Sequence, residues 1–148
     1  MLKKMNKLIK IGLILVVLGI SAIMYTWFFV YNKPHTDYET AVADYILPAE
    51  VFYNNYANET PESKKYLDKV LIVEGIPSSI EKTDSTVTIV FAYNSGMFGD
   101  EGLRCSIMKS HHDFARNLNL TENISIKGHC TGYNGTDVIL DQCSIISN

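Results

Sequence analysis

Leu103-Arg104-Cys105-Ser106-Ile107, then Ser110 to Leu118, then Ile124-Ser125-Ile126-Lys127-Gly128: the fold turns on how this stretch reads. Its two ends alternate apolar and polar residues, the period of a half-buried strand. Between them Phe114 and Leu118 stand four residues apart and Ser110 suits an N-cap, so the middle reads as a short helix. On the N-terminal side, Val70 to Ile76 is rich in β-branched residues and reads as a first strand, with Gly75 allowing a bend. Thr86 to Tyr93 alternates again as a second strand, after a polar turn at Glu81 to Ser85. Asn94 to Gly102 carries Gly96, Gly99 and Gly102 and reads as a flexible loop. On the C-terminal side, Tyr133-Asn134-Gly135-Thr136 signals a type I′ hairpin with a two-residue loop, and Val138 to Ile146 follows as a fifth strand. Three strands, a helix and two more strands predict a mainly β protein, a five-stranded OB-fold Greek-key barrel with its helix between strands three and four. A sandwich would need about seven strands.

Two short helices are expected ahead of the barrel. Leu47-Pro48-Ala49-Glu50 starts one, with Pro in the first turn, and Thr60-Pro61-Glu62 starts another, with Thr60 as cap. Residues 32–46 are polar and mixed and read as a tether, leaving 47–148 as the folded domain. Ahead of the tether, Ile11 to Tyr31 holds no charged residue and is fenced by Lys10 and Lys33. At ~1.5 Å per residue it spans roughly 30 Å, the thickness of a bilayer's hydrocarbon core. Tyr25, Trp27, Phe28, Phe29 and Tyr31 crowd its C-terminal end, as interfacial aromatics do. Residues 1–10 form a basic tail with Lys3, Lys4, Lys7 and Lys10 and no acid. A cleaved signal peptide would have a shorter apolar core and small residues at its end, whereas this run is long and ends in bulky rings. The pattern predicts a single-pass signal-anchor in the cytoplasmic membrane, its partner the lipid bilayer along residues 11–31, with the N-terminus inside and the domain on the extracytoplasmic side.

All sixteen acidic residues follow the apolar run, against nine of the thirteen basic ones, so residues 32–148 carry a charge near −7. Such a surface has no long-range pull on polyanions and disfavours nucleic-acid binding, which draws most of its affinity from phosphate neutralisation. Cys105, Cys130 and Cys143 are disulfide candidates in an oxidising compartment, with one thiol left over. With Asn134-Gly135 as the loop, Tyr133 pairs with Thr136, and Cys130 and Cys143 fall four pairs apart, roughly 13 Å, too far for a bridge. Cys105 with either of the others is then the alternative.

The chain from Asn32 to Ile146 resembles the bacterial tRNA-anti-like OB-fold family, small membrane-anchored or exported proteins. The likeness rests on Tyr31-Asn32-Lys33-Pro34-His35, the Leu47 to Phe52 helix start, Lys65-Tyr66-Leu67-Asp68-Lys69 leading into Val73-Glu74-Gly75, Lys127-Gly128-His129-Cys130-Thr131-Gly132-Tyr133, and Asp137 to Ile145. The resemblance implies single-stranded, tRNA-anticodon-like nucleic-acid binding by analogy of fold.

An OB-fold binds ligands on strands two and three, between the loops that here are Glu81 to Ser85 and Gly132 to Asp137. Lys82, Tyr93, Phe98, Arg104 and Tyr133 are the ligand-binding candidates, an aromatic platform with two cations. Set against the acidic charge, this pattern favours an envelope protein or an oligosaccharide as partner over nucleic acid. The same rings also suit the closing of a barrel end. His111-His112-Asp113 does not suit a metal, because adjacent helical side chains point about 100° apart. No nucleophile stands in a G-x-S-x-G or comparable context, and His129 and Cys130 face opposite ways if they lie in a strand. A non-enzymatic module without cofactor is therefore expected. Four Asn-x-Ser/Thr sequons occur, at Asn58, Asn119, Asn123 and Asn134; in a bacterial chain they are silent.

Overall fold

A computed structural model describes residues 7–31 and 37–146. The chain divides into two compact units, Met1–Thr36 and Asp37–Asn148.

In the first unit, α1 runs over Lys7–Thr26 and ends in a π-helical turn over Trp27–Tyr31. Ile9–Phe29 is 21 residues long and apolar enough to cross a membrane. Its two aliphatic hydroxyls are satisfied within the helix: Ser21 Oγ donates to the Val17 carbonyl at 2.8 Å and Thr26 Oγ1 to that of Ile23 at 2.9 Å. A helix in lipid must satisfy its polar groups internally in this way. Tyr25 and Phe29 stack at 4.8 Å on its last turns.

The second unit is mainly β. Its elements are β1 (Tyr45–Pro48), α2 (Ala49–Ala57), α3 (Ser63–Tyr66), β2 (Val70–Gly75), β3 (Ser79–Lys82), β4 (Val87–Gly96), β5 (Gly99–Ile107), α4 (His112–Arg116), β6 (Ile124–Tyr133) and β7 (Val138–Ile146). The seven strands form one sheet in the order β1-β2-β6-β7-β5-β4-β3. The expected five strands are all present, with two additions. β1 straddles the end of the segment expected as a tether and the expected helix start at Leu47-Pro48, and it pairs in parallel with β2. β3 takes Glu81 and Lys82 from what was expected as a polar turn; only three residues, Ile76 to Ser78, separate it from β2, yet the two strands stand far apart in the sheet order. Ser78 N–H donates to the Val90 carbonyl at 2.8 Å, so β3 joins the ladder of β4 as soon as the chain leaves the break.

Alternation fixes which face is buried. Val87, Ile89 and Phe91 of β4 point the same way as Leu103, Cys105 and Ile107 of β5, and all are buried with Leu71, Val73, Ile126, Val138 and Leu140. α2 brings Ala49, Phe52 and Tyr53 into this core, and Phe52 packs edge-on against Tyr66 at 5.4 Å. Thr60 does not cap α3: the helix begins at Ser63, and the Thr60 hydroxyl instead donates back to the Asn55 carbonyl at 3.1 Å.

The expected flexible loop from Asn94 to Gly102 is absent. β4 and β5 form one long hairpin in which Gly96 pairs with Gly99 and the turn is Met97-Phe98. The glycines serve close approach, not mobility. Gly99 takes φ +128°, and a β-carbon on Gly102 would collide with the Phe91 carbonyl oxygen. The hairpin at Asn134 also departs from the type I′ expectation. Its side chain sets the turn: Asn134 Oδ1 accepts from Asp137 N–H at 2.7 Å and Thr136 N–H at 3.0 Å. Four residues then make the loop, Tyr133 pairs with Val138, and Cys130 pairs with Leu140.

Gly102→Ala should destabilise the domain by about 3 kcal/mol, the upper end for overpacking, because the colliding atom is backbone and cannot rotate away. Denaturant unfolding of the full chain would measure it. A loss under 1 kcal/mol would mean that the strands separate more easily than their register implies.

Candidate functional site

Arg104 sits on the outward face of β5, opposite Val90 of β4. Two carboxylates meet its guanidinium. Nε donates to Asp137 Oδ2 at 2.9 Å and a terminal nitrogen donates to Glu81 Oε1 at 2.7 Å. The contact with Glu81 above all, and Asp137 after it, hold the guanidinium pKa above its ordinary value against the opposing effect of burial. Asp137 does a second job: its Oδ1 accepts Gly102 N–H at 3.0 Å. The carboxylate therefore ties the β6–β7 turn to both the backbone and a side chain of β5.

Of the five expected ligand residues, Phe98 and Arg104 line one cleft, with Asp100, Glu101, Thr136 and Asp137. That cleft holds about 110 Å³, too little for a base or a sugar ring when small-molecule sites run from ~300 Å³ upward. The other three lie elsewhere. Tyr93 stacks on Tyr53 of α2 at 5.6 Å, and burial, then Glu50, pushes its hydroxyl up to about 12. Lys82 donates to the Arg116 carbonyl at 2.8 Å and so closes the end of α4. Tyr133 turns its hydroxyl to the Gly135 carbonyl at 2.9 Å and its ring toward Tyr56, at 6.0 Å. The aromatic platform is thus divided: Tyr93 and Tyr133 pack onto α2, while Phe98 stands alone. Met97 and Phe98, at the hairpin tip, are each 94% exposed. Met97, Glu81 and Asp137 were not among the candidates; Glu81 and Asp137 entered only as ends of the loops that frame the face. The only signal for Asp137 was its place three residues after Asn134.

The three cysteines are free and buried. Cys130 lies 3.3 Å from the Tyr56 hydroxyl, and burial raises the pKa of both groups. Cys143 S–H donates to the Leu140 carbonyl at 3.4 Å and its thiol also meets that of Cys105; burial, then Cys105, pushes its pKa well up. Cys143 owes its room to Gly128, since a β-carbon there would fall 2.5 Å from its sulfur. His129 turns away from Cys130 and stacks on Tyr38 at 4.7 Å. His111 and His112 part company: the first meets Glu39 at 2.9 Å and the second donates to the Ile107 carbonyl at 3.0 Å. Among the described residues no cluster of three His, Cys, Asp or Glu side chains could hold a metal.

A β-sheet domain with short helices, preceded by an apolar helix, is the class that these elements define. The chain belongs to the tRNA_anti-like family, an OB-type family, whose model matches residues 1–145. Among solved structures it is similar to a lipoprotein of Klebsiella pneumoniae provisionally described as nucleic acid-binding, with a TM-score of 0.50 and 14% identity over 78% of this chain and 100% of that one. At this identity the likeness shows the fold. No curated protein sequence matches the chain.

Asp137→Ala should cost about 2–3 kcal/mol, since it strands a half-buried guanidinium and a buried N–H. Glu81→Ala should cost under about 1 kcal/mol, its side chain being 56% exposed. Equal losses in denaturant unfolding would mean that Asp137 is not the junction that the geometry makes it.

Ellman's reagent should find all three thiols in the unreduced, denatured chain and react with the native chain at least tenfold more slowly, since thiolate formation is suppressed in the core. A mass two daltons short before reduction would reveal a bridge instead.

Proposed function

We propose that this chain is a membrane-anchored, non-enzymatic binding module whose partner is an envelope protein or glycan and not a nucleic acid. In this reading the domain is a five-stranded OB barrel, with β2 and β3 as two halves of one first strand broken at Ile76 to Ser78. Strands β4 to β7 complete it, α4 fills the place between strands three and four, and β1 is an added edge. The lysines of residues 3–10 support an N-terminus in the cytoplasm and a domain outside.

One observation carries the binding assignment. Arg104, at the centre of the face that an OB barrel offers to ligands, is already matched by two carboxylates. A phosphate would have to displace Asp137 or Glu81 and then sit beside them. Asp100 and Glu101 border the same cleft and add to that repulsion. What this end presents freely is apolar, Met97 and Phe98, and such side chains suit a protein pocket. Buried, high-pKa thiols make poor nucleophiles, which supports a module without catalysis. The lipoprotein described as nucleic acid-binding supports the other reading, through likeness of fold alone.

The full chain in lipid nanodiscs separates the two. Single-stranded RNA should bind no tighter than about micromolar at physiological salt, the scale of non-specific contacts. A photo-crosslinker in place of Phe98 should give one discrete protein adduct in intact cells, reduced at least fivefold by Met97→Ser. Submicromolar RNA binding with a steep salt slope, flattened by Arg104→Ala, would overturn the proposal.

A further inference from the structure

The β4–β5 hairpin has a second end, and a larger cavity lies there. About 490 Å³ open between the turn that leads into β4, the end of β5 and the bulge in β7, within the range of small-molecule sites. Its floor is apolar, from Val87 and Ile107. Ser85, Ser106, Lys109, Ser110 and Gln142 stand around it, and among the described residues none of these five side chains has a hydrogen-bond partner in the protein. Gln142 stands there on a left-handed backbone, φ +52°, a conformation that side chains other than Gly and Asn rarely adopt. His112 also borders the space, with its Nε2–H committed to the Ile107 carbonyl. No Asp or Glu lines the cavity, although residues 32–148 carry a charge near −7.

We infer that this cavity binds a saccharide unit bearing a carboxylate. Three hydroxyls and an amide, donors and acceptors both, match the alternating hydroxyls of a sugar ring. The apolar floor suits the ring's C–H face. Lys109 is a point charge without a carboxylate of its own to pair with, in a cavity whose lining holds no carboxylate, and so it takes the acid group. A nucleotide fits less well: no Phe, Tyr or Trp lines the space to stack a base, and a single lysine does not track a phosphate backbone. The inference supplies the glycan arm of the proposed function. It uses a site on the same face, near the opposite end of the hairpin from Met97 and Phe98, so each can fail without the other.

Calorimetric titration of the full chain in nanodiscs tests it with four probes: tetragalacturonate, its fully methyl-esterified form, the tetranucleotide dT4 and inorganic phosphate. Tetragalacturonate should bind at submillimolar concentration, with the ester, dT4 and phosphate each at least tenfold weaker. Lys109→Ala should weaken the acid about tenfold and leave the ester unchanged. Ser106→Ala, which removes a hydroxyl and adds no bulk, should weaken acid and ester alike. Met97→Ser with Phe98→Ser should alter none of these. Equal binding of acid and ester, tighter binding of dT4 or phosphate, or no saccharide binding at millimolar concentration would each overturn the inference.

Discussion

The domain depends on what the Asp137 carboxylate does at the start of β7. The strands β1-β2-β6-β7 and the strands β5-β4-β3 are the two halves of the sheet, and they meet where β5 lies parallel to β7. A parallel junction has no hairpin to set its register. Here Asp137 sets it, by accepting Gly102 N–H and Arg104 Nε–H just before Leu103 pairs with Val138. Asn134 in turn holds Asp137 by accepting its backbone N–H. A four-residue turn, an ion pair and a strand register are therefore one construction. The same construction uses up the arginine that an OB face would otherwise offer to a phosphate.

Alternation made the five expected strands legible, because one buried face imposes a period of two on each of them. Glycine and asparagine misled, and for related reasons. Gly96, Gly99 and Gly102 look like a mobile loop, but Gly102 is present because Phe91's backbone leaves no space for a side chain. The choice between freedom and close approach is made by a partner strand that the local sequence does not name. Asn134-Gly135 looks like a backbone turn, but the Asn side chain takes the N–H groups that a two-residue loop would have left to the ladder. Site residues were less legible than strands. Tyr93 points to the α2 side because it is an odd number of residues from Val90 and Ala92 on the outward face, and aromatic character alone does not reveal that parity.

On the proposed topology the three thiols stand outside the cytoplasm, where cysteines ordinarily form bridges. The register explains their freedom. Cys105 pairs with Leu140 and Cys143 with Ile107 across a bulge, so the two sulfurs touch while their backbones are offset along the strands. Cys130 pairs with Leu140 on the other side and is covered by Tyr56. Each thiol fills core volume as a small apolar group does. Burial that raises a thiol's pKa also keeps oxidants from its thiolate, so the packing that uses these residues protects them.

Anchoring changes what a binding site must achieve. A free domain needs tight contacts to hold a partner at low concentration. A domain on a membrane helix meets envelope partners at an effective concentration fixed by its anchor, and two weak contacts on one body add through linkage and not through area. The apolar tip at Met97-Phe98 and the hydroxyl-lined cavity at Ser106 lie near opposite ends of the β4–β5 hairpin, separated by about eight residues of strand, or roughly 26 Å. An acidic surface suits this arrangement. On the proposed function it keeps the domain from adhering to polyanions without selectivity and leaves recognition to two places where no carboxylate has to be displaced.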